Sequence, residues 1–177
     1  DDVTQWHDTD DDGYGDNLTG FEGDVCMNSN AEEVESGWIS RFDRLGCRDV
    51  DKDGYSDPTD DWISHPEGFA DAFPSDASQW YDTDNDGFGD NMEYYDGQAW
   101  RLAYRGDGCR TTYGLSTFDR WGCPDSDEDG WSDPTPYWLA SPGGMGDAWP
   151  DDPTQWHDGD GDGPVSYTHL TLPTTGD

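Results

Sequence analysis

Asp82-Thr83-Asp84-Asn85-Asp86-Gly87-Phe88-Gly89-Asp90 places an aspartate at positions 1, 3 and 5, a glycine at 6 and a fourth aspartate at 9. In a loop of this kind the alternate carboxylates point to one centre, glycine permits the sharp turn, and position 7 offers its backbone carbonyl. The pattern Asp-x-Asp-x-Asp-Gly occurs five times, so one stretch defines the organisation of the chain. The candidate ligands are Asp8, Asp10 and Asp12; Asp49, Asp51 and Asp53; Asp82, Asp84 and Asp86; Asp125, Asp127 and Asp129; and Asp158, Asp160 and Asp162. Position 7 is Tyr14, Tyr55, Phe88 and Trp131 in the first four copies, and position 9 is Asp16, Asp57, Asp90 and Asp133. Position 12, where a bidentate acid completes such a site, is Asp60 in the second loop and Glu93 in the third, but Thr19 and Pro136 in the first and fourth. The fifth copy runs only to Gly163 before the pattern breaks.

Around these loops the chain repeats itself. Thr4-Gln5-Trp6-His7-Asp8 returns as Ser78-Gln79-Trp80-Tyr81-Asp82 and again as Thr154-Gln155-Trp156-His157-Asp158, a period of 74 and then 76 residues. This divides the chain into a first repeat, 1–77 with an insert at 18–48, and a second, 78–153 with an insert at 92–124. The start of a third follows at 154–163. Residues 164–177 carry no acid before Asp177 and read as translated sequencing-adapter sequence, an artefact with no function.

Composition agrees with a metal-dependent fold. Of 177 residues 31% are hydrophobic, and 42 acidic against 8 basic residues give a formal charge of -34. Such a chain lacks the means for a large apolar core and would ordinarily be disordered. The acids, however, are 35 Asp and 7 Glu gathered in glycine-punctuated clusters, and ten Trp are present. Neighbouring carboxylates in one loop cannot stay folded without neutralisation. Hard oxygen ligands without His or thiolate favour Ca²⁺ over Zn²⁺ or Mg²⁺, and at least four ions are expected. The charge excludes nucleic acid and anionic membrane surfaces as partners, and no apolar stretch is long enough for membrane insertion. Four cysteines point to two disulfides and a secreted, extracellular or cell-surface location. The simplest pairing is Cys26 with Cys47 and Cys109 with Cys123, although spacing leaves three pairings open.

Asp82 to Asn91, together with Asp71-Ala72-Phe73-Pro74-Ser75-Asp76, resembles the thrombospondin type 3 repeat family of secreted microbial proteins. The resemblance covers about half of the chain and leaves out the inserts. It implies a mostly irregular, calcium-cored tandem repeat in an elongated rod, with Asp71, Asp76, Asp147 and Asp151 as additional ligands. Secondary structure is expected to be sparse: a few short strands and one helical turn near Phe42 or Phe118. Pro58 and Pro134 block the helix that follows such loops in dockerin modules.

Other residues carry weaker readings. Trp6, Trp80 and Trp156 are expected to pack beside their loops, and Arg44 and Arg120 to pair with nearby aspartates. Asn17-Leu18-Thr19 is a glycosylation sequon at Asn17. No nucleophile elbow, phosphate loop or dinucleotide fingerprint is present, so the chain is expected not to be an enzyme. A structural stalk, adhesin segment or fibre-forming subunit that self-associates head to tail is the leading expectation. The alternative is a polysaccharide-binding module using Tyr94, Tyr95, Trp100 and Tyr104 of the second insert.

Overall fold

The computed structural model describes residues 4–29, 37–95 and 98–163. The tail at 164–177, read from sequence as an artefact, lies outside them. Among the described residues there is no helix, and the turn expected near Phe42 or Phe118 is not helical. Among the described residues the strands are β1, Glu93–Tyr95, and β2, Trp100–Leu102, paired antiparallel with Tyr94 opposite Arg101. Isolated bridges supply further ladder contacts, among them parallel pairs Gly15 with Gly23 and Gly89 with Gly106. The fold is therefore mostly irregular loop, as expected from a chain rich in Asp, Gly and Pro, which satisfy backbone groups locally.

The interior is polar. Among the described residues the buried apolar side chains are Ile39, Cys47, Ala70 and Cys123, whereas eight aspartates and six serines are buried. Most of the buried serines close turns. Ser40 and Ser116 are fully buried; each amide donates to the carbonyl of Cys47 or Cys123, and each hydroxyl donates to the carbonyl of Arg44 or Arg120. Ser56 and Ser132 donate their hydroxyls to Asp43 and Asp119, which also accept the same serines' amides. A side chain thus does for the backbone what a ladder or helix would do elsewhere.

Two compact units follow from the contacts, Asp1–Tyr113 with three Asp-rich loops and Gly114–Asp177 with two. In the first, Cys26 and Cys47 form a disulfide spanning 21 residues, which by loop entropy contributes about 3 kcal/mol. Cys109 and Cys123 are also disulfide-bonded and no cysteine is free, in keeping with the pairing within inserts. Arg44 and Arg120 differ from expectation. Instead of pairing mainly with aspartates, their guanidinium carbons lie 5.2 Å and 4.8 Å from the ring centres of Trp62 and Trp138. The aromatic face is the better partner for a weakly hydrated planar cation whose neighbouring carboxylates are already engaged.

Aromatic packing follows the loops. Within the first unit Tyr55, at position 7 of the second loop, stacks on Trp80 at 5.2 Å and meets Tyr81 at 5.4 Å, just ahead of the third loop. Within the second unit Trp131 stacks on Trp156 at 6.3 Å. Trp80 and Trp156 therefore pack beside loops as expected, whereas Trp6 is 79% exposed.

Gly87 of the third loop and Gly106 of the second insert, which bridges to that loop, separate backbone strain from close packing. Gly87 has φ +90 with open space where a side-chain methyl would stand, so Gly87→Ala should cost about 1–2 kcal/mol of conformational strain. Gly106 bridges to Gly89, and a methyl there would strike the carbonyl of Asn91. Gly106→Ala should destabilise by more, roughly 3 kcal/mol, because backbone must move. Urea unfolding of the two variants at saturating divalent cation measures the difference; equal losses would contradict the packing described.

Candidate metal centres

Each loop is shaped by its own aspartates. The position-1 carboxylate accepts the amide of the position-6 glycine with one oxygen: Gly13 to Asp8 at 3.1 Å, Gly54 to Asp49 and Gly87 to Asp82 at 2.9 Å, Gly130 to Asp125 at 2.8 Å and Gly163 to Asp158 at 3.1 Å. Its other oxygen accepts the position-4 amide in four loops, from Lys52, Asn85, Glu128 and Gly161 at 2.7–2.8 Å. Position 4 is left-handed in every loop, with φ from 59 to 74. The position-5 carboxylate accepts the position-7 amide at 2.8–2.9 Å in the first four loops. These bonds bring one oxygen from each of positions 1, 3 and 5 within 4.8 Å of one another in all five loops, including the short fifth. Five groups that can hold a metal ion result.

Position 9 has a different task. Asp16, Asp90 and Asp133 each accept both the amide and the hydroxyl of the position-2 residue, Thr9, Thr83 or Ser126. Asp57 accepts the amide of Val50 at position 2 and pairs with Arg48 at 3.1 Å. The position-9 amide in turn donates to the carbonyl just before the loop, 2.8–2.9 Å in all four. This acid holds the loop closed.

A further aspartate, only half foreseen, completes the first four loops. Asp24, Asp71, Asp107 and Asp147 are 0–1% exposed. Each donates its amide to the position-8 carbonyl of its loop, Gly15, Ser56, Gly89 or Ser132, at 2.7–3.0 Å. Each accepts, with one oxygen, the amide two residues on, from Cys26, Phe73, Cys109 or Trp149. The second oxygen is buried without a hydrogen-bond partner in all four. Five residues further along, an amide approaches the position-3 carboxylate: Ser29 to Asp10, Asp76 to Asp51, Thr112 to Asp84 and Asp152 to Asp127. The arrangement is the same four times, although the spacing from loop to added aspartate differs because of the inserts.

Asp71 and Asp147 were expected from the family resemblance; Asp24 and Asp107 were not. Their signal is Asp-x-Cys, at Asp24-Val25-Cys26 and Asp107-Gly108-Cys109, matching Asp-Ala-aromatic in the other two. Asp76 contributes its amide, with its carboxylate turned to Ser78. Its counterpart is Asp152, and Asp151 is exposed. Asp60 and Glu93 are exposed too, Glu93 opening β1, so the structure does not gather them with their loops' buried carboxylates. Asn17 donates its side-chain amide to the Thr4 carbonyl while Thr19 donates its hydroxyl to Asn17.

Electrostatics match the geometry. Burial is the leading cause that raises Asp12, Asp51 and Asp147 to about 6, Asp107 to about 7, Asp53 to about 8 and Asp71 to about 9. Repulsion adds to it. Asp71 is pushed up by Asp53, Asp51 and Asp57; Asp107 by Asp86, Asp84 and Asp90; Asp147 by Asp129, Asp127 and Asp133. Asp24 is pushed up by Asp10, Asp16 and Asp8, so each added aspartate feels the carboxylates of its own loop. Among the described residues thirteen buried carboxylate oxygens have no hydrogen-bond partner, all on these loop or added aspartates. Acceptors without donors, in oxygen-only groups, suit a hard cation. No family model, curated protein or solved structure matches the chain.

Raised carboxyls favour the folded metal-free chain when protonated. That stabilisation is complete below their unfolded value near 4 and is lost as pH climbs through about 6 to 9. Metal binding reverses the dependence, because protons then compete with the ion. Circular dichroism should show the chelated protein more ordered at pH 4.5 than at pH 8 and the metal-loaded protein the opposite. At pH 7 ion binding should release protons, seen as a buffer-dependent heat, with Asp71→Asn reducing the release.

Proposed function

We propose that the chain is an extracellular calcium-binding structural protein, a stalk, adhesin segment or fibre-forming subunit whose loops are made rigid by Ca²⁺. One observation carries it: four times over, a loop triad is joined by a fully buried aspartate whose second oxygen has no hydrogen-bond donor. A carboxylate in that state costs several kcal/mol unless a cation meets it. Calcium fits best. The groups are all oxygen, free of His and Cys, with room for backbone carbonyls and water in an irregular coordination shell, whereas Mg²⁺ demands a stricter octahedron. The two disulfides agree with an oxidising compartment where millimolar calcium is common. At free calcium a hundredfold above Kd each ion adds about 2.7 kcal/mol, so several ions replace the missing apolar core.

No part of this reading requires catalysis. Its carboxylate pairs lie in the loops, where a bound cation would hold them ionised and unable to act as general acids. The resemblance to thrombospondin type 3 repeats supports the same role.

A second reading has its own support. In the second insert Trp100 is 69% exposed and Tyr104 62%, both available to a polysaccharide in a calcium-ordered scaffold.

Calcium titration followed by calorimetry should count at least four ions per chain, and excess EDTA at pH 7.5 should abolish the near-ultraviolet tryptophan signal. Asp24→Asn or Asp107→Asn should each remove or weaken one ion about tenfold or more. Retention of full order in EDTA would overturn the calcium role, and electron microscopy at native calcium would separate fibres from monomers.

A further inference from the structure

Asp24 is held at the first loop from two directions. Its amide donates to the Gly15 carbonyl of the loop at 2.8 Å, while the next amide, of Val25, donates at 3.0 Å to Leu45 at the far end of the insert. Cys26, whose amide Asp24 Oδ1 accepts at 2.7 Å, is disulfide-bonded to Cys47. Between Leu45 and Cys47 the backbone of Gly46 lies so close to Asp24 Oδ1 and Asp12 Oδ2 that a methyl there would strike both. Ser29 joins the two sides, its hydroxyl donating to the Gly46 carbonyl at 2.6 Å and its amide to Asp10 at 2.7 Å. The first metal group is therefore walled by both ends of the segment that the disulfide ties together.

That disulfide is also placed to react. Cys26 and Cys47 stand in the wall of a cleft of about 470 Å³, and among the described residues this wall contains no carboxylate, in a chain with 42 acids. Arg44, another of its residues, brings Nη2 to 3.7 Å from Cys26 Sγ. A cation beside the sulfur stabilises the thiolate through which disulfides open and close.

We propose that the first metal site is redox-dependent: the Cys26–Cys47 disulfide positions Asp24 for the ion, and its reduction weakens calcium there while the second and fourth sites keep theirs. This rests on the calcium reading of the loops. The reductant is a small dithiol, whose two S–H groups give two electrons and two protons to the S–S bond; Cys26 and Cys47 become thiols and the reagent becomes its own disulfide. Asp24 then has only hydrogen bonds to hold it against repulsion from Asp10, Asp16 and Asp8. By reciprocity, an ion at this site protects the disulfide by the same factor as the disulfide strengthens the ion.

The chain contains its own comparison. Two residues after the added aspartates of the second and fourth loops stand Phe73 and Trp149, which make the same amide bond at 2.7 and 2.8 Å without a sulfur. The third loop, where disulfide-bonded Cys109 donates to Asp107 at 2.6 Å, belongs with the first.

Calcium calorimetry on the full chain tests this with Cys26→Ser/Cys47→Ser, in which Cys109 and Cys123 are untouched. One ion should bind about tenfold or more weakly and the others as before. Adding Asp24→Asn to this variant should cost little more, whereas adding Asp71→Asn should weaken a second ion. Unchanged binding of every ion, or equal weakening of all, overturns the proposal. A second measurement leaves the cysteines in place: the chain is equilibrated at saturating calcium with mixtures of reduced and oxidised dithiothreitol, and opened cysteines are alkylated and located by mass spectrometry. Asp24→Asn should let Cys26–Cys47 open at a reduced-to-oxidised ratio about tenfold or more lower, and Asp71→Asn should shift it much less. Equal shifts, or none with Asp24→Asn, also overturn the proposal. If the unmodified, oxidised chain binds no calcium, the calcium reading itself fails, a result distinct from these.

Discussion

Everything in this fold depends on mutual repulsion among carboxylates that the backbone forces together. Oxygens of three aspartates lie within 4.8 Å in each loop, and at about 5 Å two such charges repel by roughly 3 kcal/mol even at an effective dielectric of 20. A solvated acidic surface would spread them apart. Here the amides at positions 4, 6 and 7 grip the carboxylates at positions 1 and 5, so the loop concentrates negative charge as it closes. The hydrogen bonds satisfy both oxygens of the position-1 carboxylate in four loops and leave an oxygen of the position-3 or position-5 carboxylate buried without a donor in the first four. The polar interior is the consequence of that closure.

That constraint explains the use of aspartate. Its short side chain accepts an amide two residues on while leaving its second oxygen buried without a donor, as Asp24, Asp71, Asp107 and Asp147 all do. A longer glutamate would overshoot both partners. It also explains why sequence between loops varies so freely: only the aspartate, the amide five residues later and the aromatic or cysteine two residues later need fixed positions. The distance from loop start to added aspartate is 16 residues for Asp24 and 25 for Asp107, yet the hydrogen bonds made are the same.

Much of this was legible in the sequence because metal loops are local. The triads and their glycines follow from spacing alone, and the lack of regular structure follows from composition. The two-strand sheet opening at Glu93 was not legible, since Glu93 occupies position 12 of a loop and reads equally as a ligand. Nor were Asp24 and Asp107, whose amides reach back 9 and 18 residues to Gly15 and Gly89 across inserts without a common length. Arg44 and Arg120 misled for a related reason. In a chain this acidic every arginine has carboxylates nearby, and charge alone cannot show that those carboxylates are already engaged by backbone amides, which leaves the indole faces of Trp62 and Trp138 as the better partners.

The loops fall into two kinds, and the difference suggests how they are linked. In the first and third, position 8 is glycine and Gln5 or Gln79 lies against it, each clamping Asn17 or Asn91 through both ends of its amide. In the second and fourth, position 8 is a buried serine held by Asp43 or Asp119 from the preceding insert. The glutamine belongs to the segment that begins where the previous loop's added aspartate ends, since Asp76 sends its amide to Asp51 and lies three residues before Gln79. Asp51 of the second loop, Asp76 and the glutamine beside the third loop are thus joined in one run of hydrogen bonds. In this first unit the second and third candidate metal loops are therefore linked through backbone amides, with Tyr55 on Trp80 as the aromatic reinforcement.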